Sequence, residues 1–483
     1  MSKTTAVAAT AACGAICGAL LGFPWSARFA ALAPLTLFPL FAAYRSGDRR
    51  ASTYLSALYI AAAFLVGLAW IYDGAVAHQG VGDYYTSFLA LLFECIPYAL
   101  AGYAISYLSK RPAPVWSIGV ASLWTLCDYW RATSPLGIPY LQMGHALIDT
   151  PLARIARFGG TESLTFLCVF AAATLFEATR RGTRPRAVAW SIFAAAIAAS
   201  ALLQAPASAI AARGFTVSVY QLGQVDVASI WRYISALRAQ PRTAELAVWP
   251  ESAIDLSRNE FMGAIRLQAR ARHVALLVGG TASDATGAHD ALELIGADGR
   301  TKGYYAKRHL IPFGEFVPLQ ALAHVIVPTT LVAAIPHLTA GTEPVTFDAG
   351  GRTIGPLICY ESAFPALARD DVRRGANLLV AATNDAWFAK ASGVWELEQT
   401  ARLVAIETGT PLVLAGTVGP SGVIDADGRW TGTLPIGSVE RRTFSVPPAH
   451  PTAYDTIGDL PLIGIIAMAC FACFLPIRRG GSV

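Results

Sequence analysis

The chain has 483 residues, 54% of them hydrophobic and only 14% charged, with a formal net charge of +5. That apolar excess excludes an ordinary soluble globular protein and points to membrane spans. The small, dispersed positive charge leaves no footprint of nucleic-acid binding.

In chain order, residues 1–205 are blocks rich in Ala, Leu, Phe and Trp. They predict spans near 5–22, 28–44, 52–72, 86–108, 114–130, 161–178 and 187–205, and a last span follows at 458–477. Most approach the ~20 residues needed to cross hydrocarbon. Seven spans before the polar region place it on the face opposite the N-terminus. Basic residues agree with that reading. Lys3, Arg45, Arg49, Lys110, Arg111 and the arginines at 180–186 fall on the inner side, whereas 23–27 and 73–85 are nearly free of them. The polar region is therefore expected outside, in the periplasm of a bacterium. Arg131 and His145, in the outward loop after the fifth span, are candidates for touching a lipid headgroup.

Residues 214–456 read as a separate α/β domain, with 457–483 forming the last span and a short tail. Strand-like runs occur at 215–222, 244–252, 273–281 and 377–385. Ala-Asp-Gly turn signals interrupt 291–300 and 421–430. Helical patterns fill 227–240, 257–272, 363–374 and 394–408. Strands alternating with helices predict a layered α/β domain around a mostly buried sheet. The apolar run 316–338 is broken by Pro318, Pro328 and Pro336, so it is a poor spanning helix. It suits either a buried core segment or, more readily beside a bilayer, a lipid-facing arm.

Of eight cysteines, seven fall in or beside predicted spans, where a small apolar filler is the plain reading. Cys359 alone lies in the polar domain, at the end of the apolar run in "GPLICYESAF". Two more strand ends offer ionisable groups, Glu251 in "AVWPES" and Lys307 in "YYAKRHLIPFGEFVP", with Glu315 eight residues further on. Together they suit acyl transfer. A thiolate attacks a carbonyl, a carboxylate takes the thiol proton, and an ammonium steadies the oxyanion. A second carboxylate can orient the lysine.

"WPESA", "YYAKRHLIPFGEFVP", "ICYES" and "TNDAWF" resemble the Glu, Lys and Cys signatures of the nitrilase superfamily. With the eight-span plan, "DYWRATSPLGIPYLQMGHAL" and "PTAYDTIGDLP", they resemble the apolipoprotein N-acyltransferase family, over nearly the whole chain. The resemblance implies an αββα sandwich, with Glu251 as general base, Lys307 as oxyanion stabiliser and Cys359 as nucleophile. Glu315, Tyr360 and Glu361 support them, and Trp231 and Trp387 contact substrate. It implies a phospholipid acyl donor, a Cys359 thioester, and a lipoprotein's N-terminal amine or a related amine as acceptor. No metal or other cofactor is implied, and the protein is expected to be a monomer in the inner membrane. The sequence departs from the family at Leu397, Thr410, Leu414 and Gly416 to Gly419, where a histidine, two arginines and an amide are usual. These departures resemble a divergent conjugal-transfer paralogue. They keep open a hydrolase with water as acceptor and a non-catalytic membrane scaffold.

Overall fold

The structure is a computed structural model that describes residues 2–71, 82–134, 136–181, 214–223, 227–257, 259–318, 335, 337–387 and 391–476. It separates into two compact units. One comprises Met1–Ala69, Phe88–Gln204 and Asp459–Val483, and the other Trp70–Ser87 and Ala205–Gly458.

The first unit is helical. Helix α1 (Lys3–Gly22) is followed by a 3-10 stretch, Pro24–Leu37, that runs into α2 (Phe38–Ser46). Then come α3 (Arg49–Gly67), most of α4 (Gly82–Ser106), α5 (Ala113–Thr133) and α6 (Ala156–Arg181). Gly14, Gly18 and Gly22 recur every fourth residue along α1 and face α3, where a Cβ on Gly18 would meet the Ala63 carbonyl carbon at 2.9 Å. Small residues at this spacing let two apolar helices approach closely. Among the described residues, four segments are long and apolar enough to cross a membrane: Lys3–Gly22, Pro24–Ser46, Arg49–Gly67 and Pro151–Arg180. Leu91–Ser106 and Leu460–Phe474 are shorter apolar helices. The expected span at 187–205 lies outside the described residues.

Arg131 and His145 are buried rather than presented to headgroups. The Arg131 guanidinium donates to the Ile138 carbonyl at 2.8 Å, to the Tyr140 carbonyl and to the Tyr98 hydroxyl at 3.1 Å. Asp128 accepts from the Met143 N–H at 3.0 Å, and Glu94 from the Ile138 N–H at 3.3 Å. The polar side chains thus satisfy the backbone of a buried, irregular loop, as buried peptide groups require.

The second unit holds two sheets. In chain order its strands are β1 (Thr216–Gln221), β2 (Leu246–Val248), β3 (Ile254–Asp255), β4 (Ala275–Asp284), β5 (Gly287–Ile295) and β6 (Thr301–Ala306). They continue with β7 (Phe347–Ala349), β8 (Arg352–Ile358), β9 (Leu378–Thr383), β10 (Leu412–Gly416), β11 (Ser421–Ile424), β12 (Trp430–Leu434) and β13 (Glu440–Ser445). The first sheet runs β13-β1-β2-β4-β5-β6 with β3 against β4, and the second runs β12-β11-β10-β9-β8-β7. The strands β1, β2 and β4 are parallel neighbours, as are β8, β9 and β10. One apolar cluster lies between the sheets, with Val219, Val248, Leu277, Ile358, Val380 and Val413 among its members. A second packs the first sheet against α7 (Val227–Arg238) and α8 (Asn259–Arg272). A third packs the other sheet against α9 (Pro365–Arg373) and α10 (Ala391–Thr408). The layers are therefore helix, sheet, sheet, helix.

Period-two alternation produces this layering. Along β10, Val413 and Ala415 enter the cluster between the sheets, while Leu412 and Leu414 enter the one under the helices. Every strand and helix expected from sequence in 214–456 is present within a few residues, because each pattern is bounded by its own turn chemistry.

Candidate active site

Three chain segments leave the sheets and converge. The turn after β2 carries Glu251, the residue after β6 is Lys307, and the residue after β8 is Cys359. Glu251 is 5% exposed, Lys307 0% and Cys359 4%, so water does little to screen their charges. The Lys307 Nζ donates to Glu251 Oε1 at 3.2 Å and to Glu315 Oε1, and lies 3.9 Å from Asp290 Oδ2. The Cys359 thiol lies close enough to the Glu251 carboxylate to feel its charge. Burial, reinforced by the Glu251 charge, holds the thiol well above its ordinary range, so the proton rests on sulfur. Burial alone would pull the Lys307 ammonium down, but the Glu251 and Glu315 carboxylates raise it well above the usual lysine value. The resting site is a neutral thiol beside a carboxylate acceptor and a fixed cation.

Each group is held from behind. Glu251 Oε2 accepts from the Asn384 N–H at 2.6 Å, in the loop after β9. Glu315 Oε2 accepts from the Ile311 N–H at 2.9 Å. Glu361, fully buried, accepts from the N–H groups of Ile358 at 2.8 Å, Arg308 at 2.7 Å and His309 at 3.0 Å, and from the Tyr305 hydroxyl at 2.8 Å. It thereby ties the lysine's segment to the end of the cysteine's strand. Tyr360 is buried, with its ring 4.9 Å from Phe364 and 5.8 Å from His309. Cys359 has φ +51°, a left-handed conformation in a non-glycine residue where the strand meets a short 3-10 turn, Cys359–Ala363. Such a value is uncommon and marks stored strain.

Glu251, Asp290 and Glu315 place carboxylate oxygens within 4.8 Å of one another, as a metal site would. The Lys307 ammonium already lies among those oxygens, so the donor set is matched to an organic cation.

Not every candidate joins the cluster. Trp231 is 57% exposed on α7, its ring centroid 5.8 Å from that of Phe261 in an edge-to-face contact. The Trp387 backbone ends the 3-10 turn Asp385–Trp387, and its side chain lies outside the described residues, as does most of the expected arm at 316–338. The positions that depart from the family pattern have packing roles. Leu397 and Leu414 are fully buried, Leu414 on the helix side of its sheet, and Thr410 is 1% exposed. Gly416 and Gly419 leave room for the Asp385 carboxylate, and a Cβ on Gly419 would meet its Cγ at 2.8 Å. Thr417 Oγ1 and the Val418 N–H donate to that carboxylate at 2.7 and 2.8 Å. This bracing steadies the loop whose Asn384 N–H holds Glu251.

Sequence reasoning missed Asp290, Tyr305 and Asn384. The signal for Asp290 is an acid within the otherwise apolar alternation of "AHDALELI" on β5.

Residues 199–438 match the carbon-nitrogen hydrolase family, and residues 17–174 match the N-terminal domain of apolipoprotein N-acyltransferase. An apolipoprotein N-acyltransferase of Methylococcus capsulatus is 30% identical over 505 residues, covering 96% of this chain and 96% of that protein. One of Azotobacter vinelandii is 29% identical over 437 residues, covering 84% and 82%. Among solved structures, an amidase from Nesterenkonia sp. aligns with 52% of this chain and 95% of its own, at 20% identity and a TM-score of 0.39.

Proposed function

This chain belongs to the apolipoprotein N-acyltransferase family, and on that premise we propose that Glu251, Lys307 and Cys359 carry a two-step transfer of a fatty acyl group. In the first step the Cys359 sulfur bonds to the ester carbonyl carbon of a phospholipid, and its proton passes to Glu251. The carbonyl oxygen becomes an oxyanion facing the Lys307 ammonium. Collapse breaks the ester bond, and the lysophospholipid alkoxide leaves with the proton from Glu251. In the second step the N-terminal amine of a lipoprotein attacks the thioester and gives its proton to Glu251. The amide forms, and the sulfur leaves and is reprotonated.

The observation that carries this reading is the convergence of one thiol, one acceptor carboxylate and one ammonium in a buried cluster. Glu315 orients Lys307, Glu361 fixes the lysine segment against the cysteine, and Tyr360 walls the pocket beside the sulfur. Trp231 and Trp387 are the candidate substrate contacts. We further propose eight spans within 1–205 and 457–483 in the bacterial inner membrane, with 214–456 facing the periplasm, in a monomer that uses no cofactor.

The test is intact mass of the full-length protein after incubation with phospholipid. The wild type is expected to gain one acyl group, and Cys359→Ser to gain none. Undiminished acylation of the variant would overturn the reading. Adding a diacyl lipopeptide then separates acceptors, since N-acylated peptide supports the transferase whereas release of free fatty acid alone supports the hydrolase. A Cys359→Ala chain that fully restores lipoprotein processing in depleted cells would point to a scaffold instead.

A further inference from the structure

The acid cluster holds one more member than the transfer chemistry uses. Asp290 on β5 is 8% exposed, and its backbone carbonyl accepts from the Lys307 N–H at 2.8 Å. Its carboxyl group shares a space under 5 Å across with those of Glu251 and Glu315. Two like charges so close repel by about 3–4 kcal/mol at an effective dielectric of about 20. One ammonium cannot neutralise three carboxylates, so the cluster keeps a proton.

The donors show where that proton goes. Glu251 accepts from the Asn384 N–H and from Lys307, and Glu315 accepts from the Ile311 N–H and from Lys307. Asp290 has Lys307 Nζ only at 3.9 Å, and none of the described peptide N–H groups bonds to its carboxyl group. One of its carboxylate oxygens lies within 4.8 Å of one from Glu315, and two carboxyl groups can hydrogen-bond to each other only if one of them carries a hydrogen. The other titratable groups facing Asp290 are Glu251, Lys307 and, further off, Tyr304.

We propose that Asp290 is a positioning residue of the acyl transfer: as a carboxylic acid it donates to Glu315 and so leaves the Lys307 ammonium free to meet the oxyanion. The inference rests on the transfer chemistry proposed above. With Asp290 neutral, Glu251, Glu315 and Lys307 sum to one negative charge. With Asp290 ionised they sum to two, at the place where a thiolate and an oxyanion must form. Burial, with the Glu251 charge next, pushes Asp290 from 3.8 up to about 7, so this loss begins near neutrality.

The test compares full-length wild type, Asp290→Asn and Asp290→Ala, with Cys359→Ser as blank. The rate of acyl-enzyme formation is followed from about pH 5.5 to 9. Asparagine can still donate to Glu315 but cannot ionise. Its rate is expected about threefold below wild type near pH 6, with the alkaline fall moved up by more than about one pH unit. Asp290→Ala is expected to be slower by at least about tenfold at every pH. An alkaline limb unmoved in Asp290→Asn, or an asparagine variant as slow as alanine, would overturn the proposal. Melting temperature gives a second readout that needs no turnover. Between about pH 4 and 7 the folded state binds the Asp290 proton more tightly than the unfolded chain, so this group's stabilisation falls as pH rises. The melting temperature of Asp290→Asn relative to wild type should therefore rise from pH 5 to 8 and then level. A difference that stays constant with pH would overturn the proposal even if the chain forms no acyl-enzyme.

Discussion

Arg131 in the helical unit and Lys307 in the sheet unit are both fully buried cations, and they are held in opposite ways. Arg131 spends its fork on the carbonyls of Ile138 and Tyr140 and on the Tyr98 hydroxyl, with Asp128 3.6 Å away and the Phe64 ring 5.0 Å beneath. Among the described residues, the Lys307 ammonium pairs with side-chain carboxylates, those of Glu251, Glu315 and, at longer range, Asp290. A planar guanidinium matched to fixed carbonyls locks backbone in place. A compact ammonium among side-chain carboxylates can be shared with a negative charge that appears later. Burial of a cation is thus no guide to its use, whereas the kind of acceptor around it is.

Substitutions at the two cations test that contrast most strongly. Lys307→Met is expected to slow acyl-enzyme formation by at least about a thousandfold, read by intact mass, because the oxyanion loses its nearest cation. Lys307→Arg should fare little better, since a planar fork does not fit a space built for a point charge. Arg131→Lys should act on the fold, lowering stability by about 3 kcal/mol in thermal unfolding while the rate per folded molecule holds. A rate lost at Arg131 in step with Lys307 would break the comparison. Glu361→Gln tests the joint behind the lysine. It should cut kcat about ten- to a hundredfold with KM little changed, because an amide cannot accept from all four donors. Tyr305→Phe removes one of those donors and should cost about threefold in kcat.

Much of the sheet unit was legible because its patterns are local. Alternation, apolar runs and Ala-Asp-Gly turns mark strands without reference to neighbours, and Glu251, Lys307 and Cys359 stand out as polar residues ending such runs. What stayed hidden depends on contacts across layers. Asp290 looks like an ordinary strand acid until β6 brings Lys307 beside it. Asn384 acts through a backbone N–H, which no side-chain motif reports. Leu414 looked like a lost site residue, but one step of register puts it against the helices instead. In the helical unit, hydropathy located the apolar blocks but could not show that Arg131 turns inward to a buried loop.

The left-handed backbone at Cys359 separates two kinds of selection at that codon. Glycine reaches such a φ without penalty and asparagine with little, whereas β-branched residues resist it. A library varied at position 359 and sorted only for the amount of protein accumulated should enrich Gly and Asn over Cys, and deplete Val and Ile. The same library grown under a demand for lipoprotein maturation should return Cys alone. A natural copy released from that demand would be expected to drift toward glycine there, leaving a fold more robust than its working ancestor.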